Sequence, residues 1–90
     1  MRAAVLFDRE DMRVTEWPDP TLEPGDMLVH VMRCGVCGSD LRTYFRGPSP
    51  RYRLPAILGH EFVGTIAKTR EQVKSFQTGE RVTAAPAVPC

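Results

Sequence analysis

Apolar positions along this chain come in short runs separated by turn residues, the pattern of strands rather than of long helices. Residues 2–7 read as one strand and residues 12–17 as a second. The charged stretch Asp8-Arg9-Glu10-Asp11 between them predicts a hairpin. Residues 18–26 carry Pro18, Pro20, Pro24 and Gly25. That excludes a helix or a central strand and marks a surface connection. From 27 to 33 the alternation is regular, with Met27, Val29 and Val31 on one face and Leu28, His30 and Met32 on the other.

A short helix is predicted next. Ser39 is the N-cap choice, and Asp40 then falls in the first turn, where negative charge suits the helix dipole. Leu41, Tyr44 and Phe45 form its apolar face. Gly47-Pro48-Ser49-Pro50 ends it, and residues 51–57 read as an irregular link. Residues 58–69 have strand content, Val73 and Phe76 lie in a connection reaching Gly79, and residues 81–84 form a last strand. Five or so strands and one short helix predict a mainly β fold, a small barrel or sandwich.

Composition narrows the class. Ninety residues make one small domain, which buries only roughly 60–65% of its unfolded surface. Twelve basic against eleven acidic residues leave a net charge of +1. No clustered positive field is implied, so nucleic acid and membrane surfaces are not expected partners. No apolar run approaches the length of a membrane span, and residues 1–8 have no signal-peptide architecture. The three cysteines are an odd set, which excludes a full disulfide framework and leaves free thiols in a reducing cytoplasm as the expectation.

Two segments carry candidate chemistry. Cys34-x-x-Cys37 reads as a redox pair at a helix start, as half of a four-cysteine zinc site, or as two buried thiols. Gly59-His60-Glu61 offers an imidazole beside a carboxylate, and His60 follows Cys37 by 23 residues. Ligands from separate segments are the mark of a catalytic zinc, with a position left open for substrate. The plain alternative for His60 is a core histidine bonded to a carbonyl. Asp40 is either an orienting carboxylate for a metal-bound histidine or a residue that simply favours the helix N-terminus. Ser39 is either a cap or a proton-relaying hydroxyl. His30, mid-strand and without an acidic neighbour, reads as structural or exposed.

Taken together, the segments Pro24-Gly25-Asp26, Cys34-Gly-Val-Cys-Gly-Ser-Asp-Leu41, Gly59-His-Glu-x-x-Gly64, Gly79-Glu-Arg-Val82 and the closing Pro-Cys90 resemble one family. It is the zinc-dependent alcohol dehydrogenases of the medium-chain dehydrogenase/reductase superfamily, and the resemblance covers the whole chain. It implies a GroES-like, partly open barrel, here incomplete, with residues 1–90 the N-terminal part of the zinc-binding catalytic domain. Cys37 is then the zinc thiolate, His60 the second ligand and Glu61 the nearby glutamate able to approach the metal. Asp40 orients the histidine, and Ser39 takes the alcohol's proton. Cys90 resembles the first cysteine of a structural zinc lobe.

Hydride would pass to NAD or NADP on a Rossmann domain, whose Gly-x-Gly-x-x-Gly fingerprint does not occur in this sequence. Gly38 after the zinc cysteine resembles the polyol and threonine dehydrogenase branch, which implies a small alcohol or polyol substrate. Arg42 stands where many relatives have a histidine, and Arg70 where a turn glycine is usual. A truncated barrel is expected to expose a sheet edge able to pair with another chain. The rival reading is a non-catalytic zinc-binding or assembly module, with a fourth ligand from a partner. Continuation into three more cysteines and a nucleotide fingerprint would separate the two.

Overall fold

The computed structural model describes residues 1–85. Its elements run β1 (Arg2–Asp8), β2 (Asp11–Glu16), β3 (Met27–Gly35), α1 (Gly38–Arg46), β4 (Ala56–Ile57), β5 (Glu61–Thr69) and β6 (Arg81–Thr83). The fold is mainly β with one short helix, and the described strands form no closed barrel. They make two three-stranded antiparallel sheets, one in each of two units. The first unit joins Met1–Asp19 to Val36–Gly59, and the second joins Pro20–Gly35 to the chain from His60 onward.

In the first unit the predicted hairpin forms. β1 and β2 pair with Leu6 opposite Met12, and Glu10 takes the turn's left-handed conformation at φ 56°. Arg13 clamps Asp11 through two contacts of 2.9 Å, which holds that carboxyl below its ordinary pKa. The same guanidinium lies 5.0 Å over the Phe7 ring, and Phe7 meets Trp17 edge-on. β4, too short to stand out in the sequence, pairs with the other edge of β1 after the cis Leu54–Pro55 bond. β1 is therefore the central strand. Val5 and Leu6 point to opposite faces and both are fully buried.

α1 departs from expectation at two points. Its N-cap is Cys37, not Ser39. Cysteine is not a favoured cap, so side-chain preference pointed two residues too far along. The expected apolar face is also not the buried one. Leu41 and Phe45 are about half exposed, whereas Thr43 is buried and donates its hydroxyl to the Ser39 carbonyl at 3.0 Å. Gly47 closes the helix at φ 78°, donating its N–H to Thr43 at 2.8 Å. A Cβ there would sit 3.0 Å from that of Arg9, so both backbone and space require glycine. The Glu10 N–H donates to the Tyr44 carbonyl at 2.9 Å and ties the hairpin turn to the helix.

In the second unit β5 runs between β3 and β6. It begins at Glu61, not at Leu58, because Gly59 takes a left-handed φ of 109° that no strand continues. Two register shifts, between Leu28 and Val29 and between Val31 and Arg33, interrupt the expected alternation of β3. Ile66 is this unit's buried core side chain. Gly64 lies where β3 crosses close: a Cβ there would run into the His30 carbonyl oxygen and come 2.7 Å from Val29 Cγ1.

The Pro-rich connection is anchored. Gly25 donates to the Glu71 carbonyl at 2.7 Å, and Arg70 donates through its backbone to Asp26 and through its side chain to Leu22. Arg70 does not take a positive φ; the left-handed turn residue is Gln72, at φ 78°. No described helix is long and apolar enough to cross a membrane.

Candidate functional site

The first turn of α1 is built by reciprocal contacts between Cys37 and Asp40. Cys37 keeps an extended backbone, φ −91° and ψ 155°, where the helix begins. Its N–H donates to the Asp40 carboxylate at 3.0 Å, and the Asp40 N–H donates back to the Cys37 carbonyl at 3.0 Å. The carboxylate thus satisfies a donor that the helix leaves open, as the acidic partner of a capping box does. It also stands at the positive end of the helix dipole. Cys37, Ser39 and Asp40 are all half-buried. One turn therefore carries a thiol, a hydroxyl and a carboxylate, each with its backbone fixed.

His60 and Glu61 sit where the second unit's sheet starts. His60 is half-buried, Glu61 is exposed, and Glu61 opens β5 opposite Gly35 of β3. A Cβ on Gly35 would lie 3.0 Å from Glu61 Oε2, so glycine leaves the carboxylate its room. Arg33, His60, Glu61, Phe62 and Thr83 line one open depression at this end of the sheet. Along the chain, Cys37 follows Gly35 by two residues.

The other predicted residues fall elsewhere. Cys34 is exposed near the end of β3, where its thiol reaches toward the Gly35 carbonyl at 3.5 Å. His30 is exposed on β3, as its sequence setting predicts. Cys90, assigned to a structural zinc lobe, lies outside the described residues. Sequence reasoning missed a groove in the first unit. It runs from Ser39 past Arg42 and Arg46 to Ser49, Arg51 and Tyr52, and measures about 290 Å³. The signal was present: Arg42 and Arg46 are four apart on a helix and so share a face.

Comparison with known proteins gives a consistent picture. The alcohol dehydrogenase GroES-like domain family matches residues 23–90. The chain is 38% identical to sorbitol dehydrogenase of Bacillus subtilis (strain 168), a match using all of this chain and 26% of that protein. It is 42% identical to L-threonine 3-dehydrogenase of Streptomyces avermitilis, over 72% of this chain and 20% of that one. The crystal structure of 2R,3R-butanediol dehydrogenase from Bacillus subtilis superposes with a TM-score of 0.80 at 32% identity. That match covers 89% of this chain and 26% of the other. Alcohol dehydrogenase TADH from Thermus sp. ATN1 gives 0.77 at 39% identity, over 90% of this chain and 23% of the other. The sorbitol and butanediol dehydrogenase matches thus span about a quarter of those proteins' length.

Proposed function

The chain belongs to the alcohol dehydrogenase GroES-like domain family, and on that premise we propose that it supplies the zinc-binding, alcohol-activating part of an NAD(P)-dependent alcohol or polyol dehydrogenase. The observation that carries this reading is the Cys37–Asp40 turn, with a thiol, a hydroxyl and a carboxylate on one helical start. Cys37, His60 and Glu61 offer sulfur, nitrogen and oxygen donors. That mixture suits zinc, whereas an all-oxygen set would suit magnesium or calcium. Zinc held by these residues supplies Lewis acidity toward a substrate oxygen.

The chain's own groups do the rest. Ser39 offers a hydroxyl to receive the alcohol's proton. Asp40, whose carboxylate accepts the Cys37 N–H, keeps acceptor capacity with which it would orient a metal-bound histidine, the role this reading gives it toward His60. NAD or NADP, on a Rossmann domain whose Gly-x-Gly-x-x-Gly fingerprint does not occur in this sequence, would supply the hydride acceptor. Sorbitol, butanediol and threonine dehydrogenases among the relatives, together with Gly38, favour a small polyol or secondary alcohol. Cys90 is proposed as the first ligand of a structural zinc. A reducing, cytoplasmic setting fits the exposed free thiol of Cys34.

Metal content by mass spectrometry tests the reading. Wild type and Cys34→Ser should carry zinc, and Cys37→Ser and His60→Ala should lose it. Equal zinc in all four proteins rejects the assignment.

A further inference from the structure

Three arginines converge on one groove of the first unit. Arg42 and Arg46 come from one face of α1, and Arg51 comes from the turn closed by the Ser49–Tyr52 bridge. Among the described residues none of the three has an ion-pair partner, whereas Arg13 is matched to Asp11 and Arg70 to Glu71. Like charges gathered in one concavity repel each other, and an anion lying between them reverses the sign of that interaction. Ser49 and Tyr52 add hydroxyl donors to the same wall. Guanidinium forks match the oxygens of a phosphate ester in pairs, and a neutral polyol has no use for them.

Ser39 lines the same groove. Along the helix axis it stands about 4.5 Å from Arg42 and about 10.5 Å from Arg46. A short polyol chain carrying a phosphate ester at one end and a free hydroxyl at the other can bridge an interval of that order, and a pentitol phosphate is the probe of that class. We propose that the groove holds the phosphate of a phosphorylated polyol, presenting one of its hydroxyls to Ser39. The substrate class rests on the role of Ser39 given above; the anion site rests on the arginines alone.

The test is a titration of the metal-free chain with a pentitol phosphate, the parent pentitol, inorganic phosphate and adenosine monophosphate, following arginine Nε–H signals by NMR. The pentitol phosphate should shift Arg42, Arg46 and Arg51 and spare Arg13. Inorganic phosphate should shift the same signals at higher concentration. Arg42→Gln and Arg46→Gln should each weaken binding about tenfold, the loss of one charge-assisted contact, and Arg13→Gln should leave it unchanged.

Equal affinity for the pentitol and its phosphate overturns the proposal, as do uniform shifts across all arginines. Tighter binding of adenosine monophosphate than of the pentitol phosphate overturns the substrate class. The titration needs no zinc. A failure here with zinc retained in a Cys37- and His60-dependent way therefore rejects this inference alone, and zinc loss with phosphate binding intact rejects only the metal reading.

Discussion

At the scale of single residues, Asp40 has an observed duty at the helix start and a proposed one toward His60, and their consequences can be separated. Its carboxylate accepts the Cys37 N–H at 3.0 Å, so Asp40→Ala should destabilise the chain by about 1 kcal/mol in urea unfolding, the usual worth of a helix cap. Asp40→Asn keeps an acceptor for the backbone and should recover most of that stability. It should not restore zinc affinity in full, because a neutral amide holds an imidazole less firmly than a carboxylate. Equal stability of the two variants would show that the cap contact contributes nothing. The Cys37 position is well placed for such tests: serine is a favoured N-cap, so zinc loss in Cys37→Ser reports ligation and not a damaged helix.

Glycines give a second residue-scale prediction with opposite signs. Gly64→Ala drives a methyl into the His30 carbonyl and should cost about 1–3 kcal/mol, as overpacking does. A Cβ at Gly38 meets nothing within 4 Å, so Gly38→Ala should be neutral or stabilising by about 0.4–1 kcal/mol. Urea midpoints of the two variants decide the matter. Gln72→Gly should likewise raise the midpoint, because glutamine at φ 78° carries about 1 kcal/mol of steric strain that glycine lacks.

At the scale of elements, what was legible followed from local chemistry. The β1–β2 hairpin is written in the charged turn at 8–11, and the 18–26 connection in its prolines. The strand at 81–83 follows Gly79, whose φ of 94° makes the turn. The errors have physical causes. Hydroxyls are better caps than thiols, which favours Ser39 in the sequence, yet the Asp40 carboxylate closes the turn on the Cys37 N–H. Leu41, Tyr44 and Phe45 predict the buried side of α1, and apolar spacing does not show whether a given stripe is covered. The bulges of β3 and the two-residue β4 have no composition signal at all.

β3 also carries a testable consequence. It pairs with β5 on one edge and, among the described residues, with no strand on the other. Val31 and Met32 on it are nearly half exposed, the profile of a strand that adds to a neighbouring chain. Concentration-dependent association should therefore appear in light scattering, and Val31→Lys should suppress it. Association unchanged by that substitution would place the contact elsewhere.

At the scale of the whole chain, the folded parts rest on little buried material. Val5 and Leu6 serve the first unit and Ile66 the second, and these are the fully buried large side chains among the described residues. A chain with so thin a core gains disproportionately from any ligand that binds only its folded form. Zinc is one such ligand in the proposed reading, with Cys37, His60 and Glu61 as its donors. If these residues hold zinc, the metal's binding energy adds to folding.

Zinc at a hundred times its dissociation constant would contribute about 2.7 kcal/mol. For a domain of this size each kcal/mol moves the melting temperature by about 4–8 °C, so a rise of about 10 °C or more is expected on saturation. Thermal unfolding followed by circular dichroism, with zinc and then with a chelator, measures it. The rise should persist in Cys34→Ser, vanish in Cys37→Ser and His60→Ala, and reverse on chelation. A wild-type chain whose melting is indifferent to zinc would break the link between these three residues and the metal, whatever the longer relatives do.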